Sequence, residues 1–161
     1  MSDFTASKEN IEESAEKENC EKFLIFSILG KLYCFPSRLI GEIALFDTVY
    51  PLPLVPSYML GVVNRYSVPY ALFDTGLLFQ KKPGPRNKVL IIKDEIDRIA
   101  FLIDDITGIA DIKKEELCIV DRNDDSGELP DVISASFIWN ETDVFVLDVN
   151  RILNHVSEAI A

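Results

Sequence analysis

Short apolar runs separated by polar turns make up most of this chain. Residues 21–36, EKFLIFSILGKLYCFP, hold two such runs around Gly30-Lys31, the pattern of a β-hairpin. KVLIIK (88–93), a turn over residues 94–97 and RIAFLIDDI (98–106) form a second strand-turn-strand unit. VISASFIWN (132–140) and DVFVLD (143–148) flank Glu141-Thr142 as a third. Runs of this length, separated by turns, predict small β-barrels rather than a parallel sheet. Leu24-Ile25-Phe26 is apolar at consecutive positions, which places both faces of a strand in apolar surroundings. Two subdomains packed against each other would provide that. The expected fold class is mainly β.

Helix is sparse. Ser37 can cap a short turn that carries Leu39, Ile40 and Ile43 on one side, and Gly41 keeps it from growing. The best helix is C-terminal, over residues 148–160. Asp148 serves as its N-cap, and Val149, Ile152, Leu153, Val156 and Ile160 recur at helical spacing. Residues 1–21 are polar and acidic and lack the apolar groups to offset their ordering entropy, so they read as a disordered tail. The folded domain is expected over 22–155. Two turn-rich linkers, residues 80–87 and 121–131, interrupt it, and the first is expected to divide the two subdomains.

Composition narrows the function classes. The chain has 161 residues, 48% of them hydrophobic, enough for a real core. Its formal net charge of −11 repels phosphate backbones and anionic lipid, so neither nucleic acid nor insertion into a membrane is expected. Cys20, Cys34 and Cys118 are odd in number and widely spaced, which supports neither a disulfide framework nor a zinc site. Cys34 and Cys118 lie among apolar residues, as small hydrophobes do. A reducing, cytoplasmic setting fits, and no signal peptide or membrane-length apolar run is seen.

Catalytic constellations are nearly absent. His155, the only histidine, lies in the C-terminal helix without a nucleophile nearby and reads as a helix-end residue. No phosphate-binding glycine loop occurs. Asp104-Asp105 could suggest a cation, but neighbours on a strand point to opposite faces, so a strand-end turn is the better reading. Asp74 and Asp148 each close an apolar run and should accept backbone N–H groups there. Trp139 reads as packing. No cofactor is expected.

Five segments then suggest a family. PSRLIGEIALF (36–46), VPSYMLGVVN (55–64), the run closing on Asp74, AFLIDDITGI (100–109) and VFVLDVNRIL (144–153) resemble, in order, the CheW chemotaxis coupling proteins. The resemblance covers the chain from about Phe23 to Leu153. It implies two packed SH3-like five-stranded β-barrel subdomains and a C-terminal helix. It also implies a non-enzymatic cytoplasmic adaptor between chemoreceptors and a CheA-type histidine kinase. The implied partners are the kinase regulatory domain and the chemoreceptor cytoplasmic tip.

The resemblance assigns partner-binding residues to two places. The first is Ile40-Gly41-Glu42-Ile43, near the family's partner-binding groove. Ile40 and Ile43 could equally be core, whereas Glu42 is a charge among apolar neighbours. The second is Asn64, Arg65, Tyr66 and Ser67, where the family has Asn-Leu-Arg-Gly. Arg65 holds the leucine position, Tyr66 the arginine position, Ser67 the glycine position and Ala71 a later proline position. A guanidinium moved by one residue on a strand turns to the other face unless the backbone shifts. The alternative reading is therefore a divergent scaffold of this kind, with a different partner or an array-packing role. A small nucleic-acid-binding barrel and a metal-dependent enzyme are the rivals from other classes, and the charge and the missing ligand sets oppose them.

Overall fold

In β1 (Cys20–Ile28), Phe23 and Ile25 point to one side while Leu24, Phe26 and Ile28 point to the other, and all five are buried. That strand is therefore shared between two cores, as the consecutive apolar run predicts. The computed structural model describes residues 19–46, 48–79, 86–93, 97–120 and 131–160. Residues 1–18 of the expected tail and all but Asp131 of the second linker lie outside them. Residues 20 and 21, assigned to that tail, are strand residues paired with β8.

The remaining strands are β2 (Lys31–Pro36), β3 (Ile40–Leu45), β4 (Met59–Arg65), β5 (Val68–Asp74), β6 (Lys88–Ile92), β7 (Ile99–Ile103), β8 (Asp105–Lys113), β9 (Cys118–Ile119), β10 (Ile133–Trp139) and β11 (Thr142–Leu147). Helix α1 is Thr75–Leu78 and α2 is Val149–Ile160. One sheet runs β3-β6-β7-β5-β4 and the other β8-β1-β2-β11-β10-β9. The second has six strands rather than the expected five, because the two-residue β9 adds to its margin.

Both sheets follow one plan. Number β3 to β7 one to five, and the five-stranded order is one-four-five-three-two. Number β8, β10, β11, β1 and β2 likewise, and the six-stranded order is the same with β9 added. Each sheet has one parallel pair at the same place, β5 with β7 and β11 with β2. The N-terminal hairpin thus completes a unit whose other strands come at the C-terminal end.

The chain crosses between the units at the 3-10 turn Ser37–Leu39 and at Asp104, the single residue between β7 and β8. The segment 80–87 does not divide them. Strands before and after it pair within the five-stranded sheet.

Among the described residues, three apolar clusters follow from strand alternation. Phe23, Ile25, Cys34, Phe137 and Val144 fill the six-stranded unit. Val63, Leu72, Val89, Ile91 and Ala100 fill the five-stranded one. The largest cluster lies between the sheets and joins Phe26, Ile28, Phe35, Phe73, Phe101, Ile103 and Ile152. There Phe35 stacks on Phe101 at 5.2 Å and on Phe26 at 5.5 Å between ring centroids. Each such side chain stabilises the fold by about 1.5–3 kcal/mol through burial.

Among the described residues, three hairpins turn in two residues with φ above zero: Leu29-Gly30 (49° and 81°), Tyr66-Ser67 (51° and 65°) and Asn140-Glu141 (47° and 62°). The first and third sit one residue earlier than the sequence pattern indicates. Turns of this type match the right-handed twist of the flanking strands, which outweighs the strain at non-glycine positions.

The segment after Ser37 also differs from expectation. Ile40 and Ile43 lie on β3, opposite Ile92 and Leu90, and not on one side of a helical turn. Pro36 rather than Ser37 holds the cap position of the short 3-10 turn, without a side-chain cap, and β-branched isoleucines pair readily in a sheet. Beyond β3, Tyr50 exchanges two backbone hydrogen bonds with Val62, at 2.9 and 2.8 Å, and so covers the outer margin of β4. This approach requires glycine at position 61, since a Cβ there would stand 2.1 Å from the Tyr50 carbonyl oxygen.

Candidate partner-binding site

Glu42 and Arg65 stand 23 residues apart in sequence, on β3 and β4, the two outer strands of the five-stranded sheet. Their side chains meet. Arg65 Nε donates to both carboxylate oxygens of Glu42 at 3.0 Å, and Nη2 donates to Oε1 as well. The pair therefore ties the two margins of that sheet together. The same guanidinium lies over the Tyr66 ring, 4.4 Å from its centroid, and Nη2 donates to the phenol oxygen at 3.2 Å.

Charge-assisted hydrogen bonding sets the ionisation here. The hydrogen bond from Arg65 holds the Glu42 carboxyl below its ordinary value, and burial opposes it. The reciprocal bond raises the Arg65 guanidinium. Both groups are charged at neutral pH. Tyr66 is 79% exposed, so an aromatic face is presented outward on a fixed cation. Beside the pair lies a hollow of about 540 Å³ lined by Gly41, Glu42, Val68, Tyr70, Lys93 and Arg98.

The seven residues singled out from the sequence separate. Glu42, Arg65 and Tyr66 converge. Ser67 completes the turn and is exposed. Asn64 is exposed and, by strand alternation, faces away from Arg65. Ile40 is half-buried against the central cluster, the core reading, whereas Ile43 is 46% exposed.

A second concavity runs between the units. It measures about 480 Å³, and its walls include Phe23 and Pro36 from one sheet, Ile92 from the other and Leu39 from the 3-10 turn between them. Asp148 at the start of α2 lines it too, and the Arg38–Glu21 pair, 3.1 Å, lines its edge.

Sequence reasoning missed Arg86. Its linker reads as turn-rich and polar, yet its side chain is 2% exposed and pairs with Asp74 and Asp104. The one available signal was the carboxylates at the ends of two apolar runs, which needed a cation. Asp104 and Asp105 diverge as strand geometry requires. Asp104 meets Arg86 and the Leu29 N–H, while Asp105 pairs with Lys88, which lowers its carboxyl below the ordinary value with help from the Ile106 N–H.

The two aspartates at strand ends act as expected. Asp74 accepts the N–H groups of Gly76 and Leu77 at 2.9 and 3.3 Å, and Asp148 those of Asn150 and Arg151 at 2.9 and 3.2 Å. Trp139 packs its ring on Gly108. His155 is exposed in the middle of α2, rather than at its end, 6.2 Å from the Tyr58 ring. Cys34 is buried, and burial pushes its thiol well up. Cys118, expected among apolar neighbours, is exposed on the marginal strand β9. No group of three His, Cys, Asp or Glu able to hold a metal occurs among the described residues, and no helix among them is long and apolar enough to cross a membrane.

Comparison with known proteins agrees with this architecture. Among solved structures, the chain is similar to the scaffolding protein TtCheW from Thermoanaerobacter tengcongensis, with a TM-score of 0.70 and 11% identity over 81% of this chain and 90% of that one. At that identity the likeness concerns the fold. No curated protein matches. The family model described as CheW-like domain matches residues 22–157. With that match spanning most of its length, the chain belongs to the CheW-like domain family.

Proposed function

We propose that this protein is a non-enzymatic adaptor that couples chemoreceptors to a CheA-type histidine kinase. The observation that carries the reading is the meeting of Glu42 with Arg65 and Tyr66. These residues come from the two segments to which the resemblance assigns partner binding, and they form one charged, aromatic-faced rim. Arginine and tyrosine are favoured interface anchors. The rim is held in place before any partner arrives, which lowers the ordering cost of binding. Exposed Ile43 and Leu45 on β3 add apolar area on the same strand. In this reading the rim receives the kinase regulatory domain and the groove between the units receives the receptor tip.

Titration with the regulatory domain of the kinase from the same organism tests the assignment. Glu42→Ala and Arg65→Ala should each weaken binding about tenfold, because truncating either one removes an anchor and releases the other from its fixed position. Binding that is unaffected by either change would remove the rim from the interface. Tyr66 favours a second reading, since it stands where the family carries arginine. Absent binding that Tyr66→Arg restores would make this chain a scaffold whose partner has changed.

A further inference from the structure

A buried cation joins the two units at one end of the molecule. The Arg86 guanidinium is 2% exposed and meets two carboxylates. One belongs to Asp74, at the end of β5, 3.2 Å from Nη1. The other belongs to Asp104, the crossover residue, which accepts from Nε. The second oxygen of Asp104 accepts the N–H of Leu29 at 2.6 Å, and Leu29 lies in the turn between β1 and β2, in the other sheet. Asp104 N–H also donates to the Ser27 carbonyl at 3.0 Å. A continuous hydrogen-bonded path therefore leads from the start of α1, through Asp74, Arg86 and Asp104, to the N-terminal hairpin.

The surroundings are built for this group. The guanidinium lies on Gly76, where a Cβ would stand 2.8 and 2.9 Å from its two terminal nitrogens. Nη2 is buried without a hydrogen-bond partner among the described residues. A planar fork can address two carboxylates from different directions, which a single ammonium cannot do with the same geometry. Such an incompletely satisfied ionic group is a poor source of stability compared with apolar packing. Its value lies in fixing geometry.

We propose that Arg86 is the joint that sets the placement of the five-stranded unit against the six-stranded one. Without it, the buried Asp74 carboxylate and the half-buried Asp104 carboxylate lose the cation between them and the crossover at Asp104 loosens. The groove between the units has one wall on each, so the joint also sets the gap that a groove partner meets. That last consequence rests on the adaptor reading; the joint itself does not.

The test uses the isolated full chain. In Arg86→Met, amide exchange at Leu29 should rise at least about tenfold, while amides of Val63 and Phe137, inside the separate cores, keep their protection. Spin labels on Cys118 and on Leu45→Cys, in a Cys20→Ser background, should give a broader distance distribution once Arg86 is replaced. If Arg86→Met fails to fold, Arg86→Lys and Gly76→Ala take its place, since they keep the charge but disturb its fork or displace it. Folded variants with Leu29 protection and inter-unit distances unchanged would overturn the proposal and leave Arg86 as a local partner of Asp74. No partner protein enters these measurements, so failure of the adaptor reading is a separate outcome.

Discussion

The two units share one strand order, but their margins are joined and anchored by different means. In the five-stranded unit, the first and second strands are joined by residues 46–58, Tyr50 pairs along β4, and Glu42 reaches Arg65 across the margins. In the six-stranded unit, a short 3-10 turn, Lys114–Glu116, leads directly from β8 to β9. The third strand of each unit leads into an aspartate that caps a helix. After Asp74 that helix has four residues, and after Asp148 it has twelve. Asp74 is 4% exposed at its side chain and holds Arg86, whereas Asp148 is 34% exposed and has Arg151 at 3.9 Å. The same local device thus carries different weight, because burial decides what the carboxylate must neutralise. The five-stranded unit also presents the charged rim, while the long helix belongs to the other.

The largest expected effect tests whether the units are independent at all. Phe101 belongs to the five-stranded sheet but packs on Phe35 of the other. Phe101→Ala should cost about 4 kcal/mol. Trp139, the only tryptophan, reports on the six-stranded unit, and its fluorescence midpoint in denaturant should fall together with the far-UV signal. Two separated transitions would break the picture of a shared core.

Next comes the contrast between the two capping aspartates. Asp148→Ala should lose about 1 kcal/mol, the value of an N-cap. Asp74→Ala should lose about 3 kcal/mol, because Arg86 is then left buried and under-compensated. Equal losses in chemical denaturation would mean that Arg86 adds nothing at Asp74.

Smaller gains should come from the turns. Ser67→Gly and Glu141→Gly remove a side chain from positive φ, and each should stabilise the fold by about 0.5–1 kcal/mol. A gain at one turn and a loss at the other would show that one of these side chains makes a contact that matters.

The smallest effect is the pH response of the rim. The folded-state value of Glu42 is lowered, so its contribution is fully present above the ordinary carboxylate value. It is lost as pH falls through the lowered one. The pair should therefore be unchanged from roughly pH 8 to pH 5 and fail only in more acid solution. Carboxyl NMR titration of Glu42 should show this, with Arg65→Ala returning the group toward its ordinary value.

Much of the fold was legible because alternation and turn spacing are local properties. The apolar run at Leu24-Ile25-Phe26 announced a strand buried on both faces, and the capping roles of Asp74 and Asp148 followed from where their runs stop. Two features were harder to read. Ile40 and Ile43 have helical spacing over a stretch too short to choose a period, and pairing with β6 chose strand. The polar composition of residues 80–87 suggested a boundary, although the strands on both sides return to one sheet.

By itself, then, the sequence marked two candidate segments through its family resemblance, and it determined the three strand-turn-strand units, the C-terminal helix and the double-sided burial of β1. The units, the helix and that burial depend on residue type and periodicity, which are present before folding. Only the tertiary structure decided that β1 and β2 complete a unit whose other strands lie at the far end of the chain. It alone joined Arg65 to Glu42 and left Asn64 and Ser67 apart from them. It alone took Arg86 from a polar linker into a buried site between two aspartates. Each of these is a choice among distant partners, and it is made by which surfaces must be buried together and which charges must then be neutralised.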